Sequence, residues 1–275
     1  MALVHLNFDS IYLNGSTDVN IILPDKSRFS SESSKDFYNT QGKFKVLYLL
    51  HGTFGCYSDW VRKSNVEQYA CEKNLVVVMP SALNSDYVNW GGFGIGYNMF
   101  DFMTEELMPM VSNWFPVSTK REDTFIAGLS MGGLGACGYA LNYPEKFAAA
   151  YIMSHCPYEI DKEDPNGMWY PRTINQLNNA GGLQEFLHSK HNLWQLAKDK
   201  ARNGILPKLY FTCGSSDRLV YDKFQKFRKY AKEIGLEAEF DEVDEYDHEW
   251  RFWDMSIEKA INLLIPTEDV KGNAF

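Results

Sequence analysis

Continuous apolar runs punctuate the chain, and between them apolar positions recur with helical spacing. The runs FKVLYLL (44–50), LVVVMP (75–80), TFIAGLS (124–130), FAAAYIMSH (147–155) and KLYFTCG (208–214) lack the alternation of a strand with one wet face. Such runs suit strands buried on both faces of a sheet. EAEFDEV (237–243) adds a last, more polar strand. At the other end, ALVHLNFDS (2–10) and TDVNIILPD (17–25) read as an antiparallel pair, because only a short turn region at Asn14-Gly15 separates them. Helical spacing predicts helices over 97–115, with Pro109 as its kink, and over 131–142, 221–234 and 249–264. A further helix opens at the capping-box spacing Ser64-Asn65-Val66-Glu67 and runs to about residue 73. Residues 25–42 are polar and serine-rich, a surface loop, and 266–275 read as a frayed end.

Strands alternating with helices predict an α/β fold, a mostly parallel central sheet with helices on both faces. The alternation breaks over 157–207, where Pro157, Pro165, Pro171 and the Gly181-Gly182 pair suggest a loop-rich piece followed by two short helices. That piece lies between two strands. It therefore reads as a small cap over one sheet end, within one domain spanning 1–275.

Composition narrows the partners. At 45% hydrophobic and 23% charged, the 275 residues suit a globule with a sizeable core. The formal charge of -9 makes nucleic acid and anionic membranes poor partners. No secretory signal or apolar stretch of membrane-spanning length is visible, and the five cysteines form no CxxC pair. Reduced thiols in a cytoplasm are expected, with no metal and no cofactor.

The candidate chemistry begins at Gly128-Leu129-Ser130-Met131-Gly132, where a strand pattern turns at once into a helix pattern. The pentapeptide G-x-S-x-G alone is a weak signal. Its strand–turn–helix setting is the strong one, since the turn is so tight that side chains at the two glycine positions would strike neighbouring backbone. Ser130 is the candidate nucleophile. A serine hydroxyl needs a base, and the base an orienting carboxylate, in the chain order Ser, Asp/Glu, His. Among the histidines that follow, His155 ends a strand too early, His188 and His191 fall in the insertion, and His248 lies between the last strand and the last helix. His248 is the candidate base. Asp217, just past a strand end, is the candidate carboxylate, with Asp244 and Asp247 as rivals nearer His248 in the chain. The oxyanion needs two donors: the N–H of Met131, and one from the loop after His51-Gly52, either Thr53 or, one register on, Phe54.

Taken together, LLHGTFGCYSDW, REDTFIAGLSMGGLGA, YPEKFAAA and GSSD followed by the late histidine resemble the esterase D-like branch of the α/β-hydrolases, in particular the bacterial tributyrin esterases. The likeness runs over about residues 1–265. It implies a carboxylesterase with Ser130, Asp217 and His248 as triad, and Met131 with the residue after His51-Gly52 as oxyanion donors. Relatives in this branch include S-formylglutathione hydrolases, feruloyl and acetylxylan esterases and mycolyltransferases, and many self-associate, so a homo-oligomer is plausible. The aromatics of NWGGFGIGY (89–97) and of the insertion (Tyr158, Trp169, Tyr170, Trp194) point to short-acyl or hydroxycinnamoyl esters, carbohydrate-linked or free. Candidate pocket residues are Phe54, Trp90, Tyr158 and Trp169. A thioesterase and a non-catalytic binding protein are the alternatives.

Overall fold

The computed structural model describes residues 2–39, 44–266 and 272–273. Its strands are β1 (Ala2–Ser10), β2 (Gly15–Leu23), β3 (Val46–Leu50), β4 (Val76–Pro80), β5 (Asn89–Trp90), β6 (Tyr97–Asn98), β7 (Thr124–Leu129), β8 (Ala149–Met153), β9 (Lys208–Gly214) and β10 (Glu239–Val243). Eight of them form one sheet in the order β1-β2-β4-β3-β7-β8-β9-β10, and β5 and β6 pair separately. β1 and β2 form the expected antiparallel hairpin, with Asn14 at φ 52° in its turn; β2 also meets β4 antiparallel, and every pairing from β4 to β10 is parallel.

The unalternating runs have the predicted cause. β3, β4, β7 and β8 are buried at every position. In β3, Val46, Tyr48 and Leu50 enter one core layer while Leu47 and Leu49 enter the other. The first layer packs under α4 (Met99–Asp101), α5 (Met108–Trp114), α6 (Met131–Asn142), α9 (Leu193–Asn203) and α10 (Tyr221–Ile234). The second packs under α2 (Asp59–Lys63), α3 (Val66–Glu72) and α11 (Trp250–Leu264). No helix among the described residues is long and apolar enough to cross a membrane.

Several local expectations needed correction. The polar stretch after β2 holds a short helix, α1 (Ser34–Tyr38), started by Ser33 Oγ accepting from Asp36 N–H at 3.1 Å; residues 40–43 lie outside the described residues. Before α3 the capping box does not form, because Ser64 closes α2 instead, donating from Oγ to Trp60 O at 2.6 Å. The stretch 97–115 begins as β6, and its helix is interrupted by a π turn over Phe102–Leu107 directly before Pro109. Met108 N–H reaches Met103 O there, so the proline ring avoids the carbonyl it would meet in an unbroken α-helix.

The insertion is mostly helical, with three helices instead of two: α7 (Tyr170–Ala180), α8 (Leu183–Leu187) and α9. Pro171 sits in the first turn of α7, where its missing N–H costs nothing, and Gly181 at φ 93° ends that helix. Pro157 and Pro165 do lie in loop, whereas Pro171, Gly181 and Gly182 are helix boundaries. At the far end, residues 267–271 and 274–275 lie outside the described residues, but Gly272 and Asn273 are docked rather than frayed, donating to Glu72 O and Cys71 O at 3.0 Å each.

Candidate active site

Parallel register brings the strand ends together. Leu50 pairs with Gly128, Leu129 with Met153, Met153 with Thr212 and Gly214 with Val243. Everything that follows those residues leaves the sheet at one edge, where open α/β sheets bind ligands. Residues 51–54, Ser130, His155, Asp217 and His248 all leave from there.

Ser130 takes φ 51° and ψ -119°, a conformation few side-chain-bearing residues adopt, at a cost on the order of 1–3 kcal/mol. The surroundings enforce it. Ser130 N–H extends the sheet ladder to Met153 O at 2.8 Å while its carbonyl already accepts from Leu134 N–H in α6 at 3.0 Å. The flanking glycines are obligatory: a Cβ on Gly128 would lie 2.2 Å from Gly132 O, and one on Gly132 would lie 2.3 Å from Leu50 O.

His248 Nε2 is 3.0 Å from Ser130 Oγ, and its Nδ1 is 2.8 Å from Asp217 Oδ2. Asp217 is fully buried, and its Oδ1 accepts from the N–H groups of Leu219 and Val220 at 3.0 and 3.1 Å. A buried carboxylate with both oxygens occupied holds its partner in one orientation. Because Nδ1 faces that carboxylate it carries the ring proton, leaving Nε2 free to accept from the serine hydroxyl. The loop that delivers His248 is stitched to the end of β9: Ser215 N–H bonds Val243 O at 2.9 Å and Ser216 N–H bonds Tyr246 O at 3.0 Å. The ring edge rests on Trp253, centroids 5.0 Å apart. Asp247 accepts from the backbone N–H of His248 at 2.8 Å and from Arg218 Nη2 at 3.3 Å, and no hydrogen bond joins it to the imidazole, so it does not orient the ring.

Met131 N–H, at the first position of α6, and Thr53 N–H have no acceptor among the described residues. Phe54 N–H, at φ 64°, is already given to Asn84 Oδ1 at 2.8 Å. The register question after His51-Gly52 therefore turns toward Thr53. Beneath the loop, buried His51 accepts from Ala82 N–H at Nε2 (2.9 Å) and donates from Nδ1 to Gly52 O (2.7 Å). That pattern is the neutral ring, and burial lowers its pKa accordingly.

An open cavity of about 320 Å³ contains Ser130, Met131, Thr53 and His248, with Phe54, Tyr158 and Trp169 in its walls. Trp90 reaches neither this cavity nor its neighbour; its indole N–H is spent on Ser85 O at 2.7 Å. Trp194 is stacked on Tyr230 at 3.9 Å, holding α9 to α10. A second cavity of about 190 Å³ lies behind, between α6 and the insertion, and shares Asp86, Leu134, His155, Tyr158 and Gln176 with the first. His155, which ends its strand too early in the chain order for the base, stands in this shared wall with Nε2 buried and unpartnered. Burial holds its pKa at about 3. Arg172 and Asp86 also join the site, and nothing local in the sequence marks either one.

The geometry agrees with what similarity to known proteins reveals. A family model, Esterase, described as "Putative esterase", matches residues 10–263. The chain belongs to the Esterase family. An acetyl esterase of Caldicellulosiruptor saccharolyticus is 31% identical, over 98% of this chain and all of that protein. Two solved structures from Staphylococcus aureus are each 30% identical and cover 96% of this chain and 98% of theirs. One is FphF, a fluorophosphonate-binding serine hydrolase (TM-score 0.78), and the other is the S-formylglutathione hydrolase FrmB (TM-score 0.77). The esterase is a carboxylic ester hydrolase on an α/β-hydrolase fold, as the resemblance implied.

Proposed function

We propose that the esterase cleaves short-acyl or hydroxycinnamoyl (feruloyl-type) esters through an acyl-enzyme, with Ser130 as nucleophile, His248 as base and Asp217 as its orienting carboxylate. The observation that carries this is the unbroken relay from Ser130 Oγ through His248 to Asp217. His248 Nε2 takes the hydroxyl proton as Ser130 Oγ bonds to the acyl carbon, and the carbonyl oxygen becomes an oxyanion facing the N–H groups of Met131 and Thr53. His248 then returns the proton to the leaving alkoxide as the C–O bond breaks. Water, deprotonated by the same nitrogen, releases the acid and restores Ser130. Each oxyanion donor is worth about 100- to 1000-fold in such a reaction.

In this reading the segment 157–207 is a cap within one hydrolase domain spanning 1–275. Phe54, Tyr158 and Trp169 are pocket residues that flank the ester, and the rear cavity receives the acyl group. Its 190 Å³ is comparable to the roughly 150 Å³ that holds a benzene ring. The free cysteines suit a reducing, cytoplasmic setting.

A fluorophosphonate probe tests the mechanism: wild type should be labelled and Ser130→Ala should not. Rates on methyl ferulate and on p-nitrophenyl acetate, butyrate and octanoate test the substrate; uniformly feeble rates would remove the acyl assignment. The likeness to FrmB supports a thioester alternative, which S-formylglutathione turnover above every oxygen ester would establish.

A further inference from the structure

Thr53 is held from two directions. Its backbone follows the loop tied to residues 81–87: His51 accepts from Ala82 N–H, Phe54 N–H bonds Asn84 Oδ1, and Tyr87 Oη donates to His51 O at 3.1 Å. Its side chain is held from the cap. Arg172, on α7, donates from Nη1 to Thr53 Oγ1 at 2.8 Å. The same guanidinium grips buried Asp86, Nε to Oδ2 at 2.9 Å and Nη2 to Oδ1, and Gln176 one turn along α7 adds Nε2 to Oδ2 at 2.6 Å. A two-pronged Arg–carboxylate pair fixes the plane of the guanidinium, so the remaining nitrogen points in one direction. Asp86 and Tyr87 both sit at φ 56°, a strained pair that persists only where the surroundings over-determine it.

We infer that Arg172 is a positioning residue for catalysis: clamped by Asp86, it holds the Thr53 hydroxyl so that the Thr53 N–H faces the developing oxyanion. The cap thereby sets half of the oxyanion hole. This rests on the proposed role of Thr53. Arg172 touches no reacting atom, and its effect passes through one hydroxyl. Fixing a side chain at Cβ–Oγ restricts the φ and ψ of its own residue, and an error of about 1 Å in such a group costs on the order of 100-fold in rate.

The test is a double-mutant cycle on p-nitrophenyl acetate, with kcat and KM measured separately. Thr53→Val removes the acceptor while leaving the Arg172–Asp86 pair whole, so it does not expose a buried charge. Thr53→Val and Arg172→Gln should each lower kcat by about 10- to 100-fold with little change in KM, and the double variant should be no slower than the worse single one. Thr53→Ser should recover most of what Thr53→Val loses, and guanidinium salts should partly rescue Arg172→Ala. Circular dichroism separates these effects from unfolding. Wild-type kcat in Thr53→Val, or losses that multiply in the double variant, would overturn the inference while the esterase reading stands. A wild-type protein inert toward every ester would overturn both.

Discussion

Asp217 has no solvent-exposed surface, and both its oxygens are committed, one to two backbone N–H groups and one to the His248 ring. Replacing it by Asn keeps the size but offers Nδ1 an NH2 group or a weaker acceptor, so the imidazole loses its tautomer as well as its partner. Asp217→Asn should lower kcat by about 10⁴-fold. Asp244→Asn should stay near wild type, since no hydrogen bond joins Asp244 to the ring; steady-state kinetics on p-nitrophenyl acetate compares the two. Asp217 and Asp244 could be ranked from the sequence only by an argument about stiffness, that a strand-end carboxylate is better fixed than one on a loop. The deciding detail, Leu219 and Val220 N–H groups closing on Oδ1, belongs to a turn geometry that no residue type announces.

The strand–turn–helix unit around Ser130 and the cap helices behave as elements with very different tolerance. A methyl group on Gly128 would meet a backbone carbonyl at 2.2 Å, and backbone cannot step aside. At Gly138, on α6, the nearest atom to a new Cβ is Leu193 Cδ2 at 3.9 Å. Gly128→Ala should therefore destabilise by at least about 1–3 kcal/mol, whereas Gly138→Ala should stabilise by up to about 1 kcal/mol through helix propensity. Thermal melts distinguish them. Because Gly138 also lines the rear cavity, Gly138→Leu should fill it and cut kcat/KM for octanoate or ferulate esters while sparing acetate. Equal effects on long and short acyl groups would place the acyl end elsewhere. The glycines of the turn were legible because their spacing is local. The cap was not, since Pro171 and Gly181 carry the same signal in a loop as at the ends of α7.

Across the whole molecule, three histidines stay neutral in the fold, His51 buried and His155 and His191 half-buried. Burial holds His155 at about 3 and His191 at about 4, and it lowers His51 as well. In the unfolded chain all three titrate near 6.5, so on acidification the unfolded state takes up protons first. Their contribution is intact above about pH 6.5, shrinks as pH falls below it, and levels off beneath the folded values. Each histidine can remove up to about 1.4 kcal/mol per pH unit in that window. Melting temperatures between pH 7 and pH 5, above the range where most carboxylates titrate, should decline on acidification, and His191→Gln should make the decline shallower. An unchanged slope would show that the His191 ring takes up its proton as readily in the folded protein as in the unfolded chain.

By itself the sequence determined where the strands of the main sheet form and which serine occupies the sharp turn. Those features depend on run length, periodicity and glycine spacing over a few residues, all of them local. It also narrowed the candidate base to one histidine, through chain order. Tertiary structure decided what depends on distant segments meeting. Ser130 and His248 are 118 residues apart in the chain, and Asp86 and Arg172 are 86 apart. Which carboxylate holds the ring, which N–H after Gly52 is left unspent and how the cap reaches Thr53 follow from sheet order and parallel register. Those are properties of the packed whole, and no window of residues contains them.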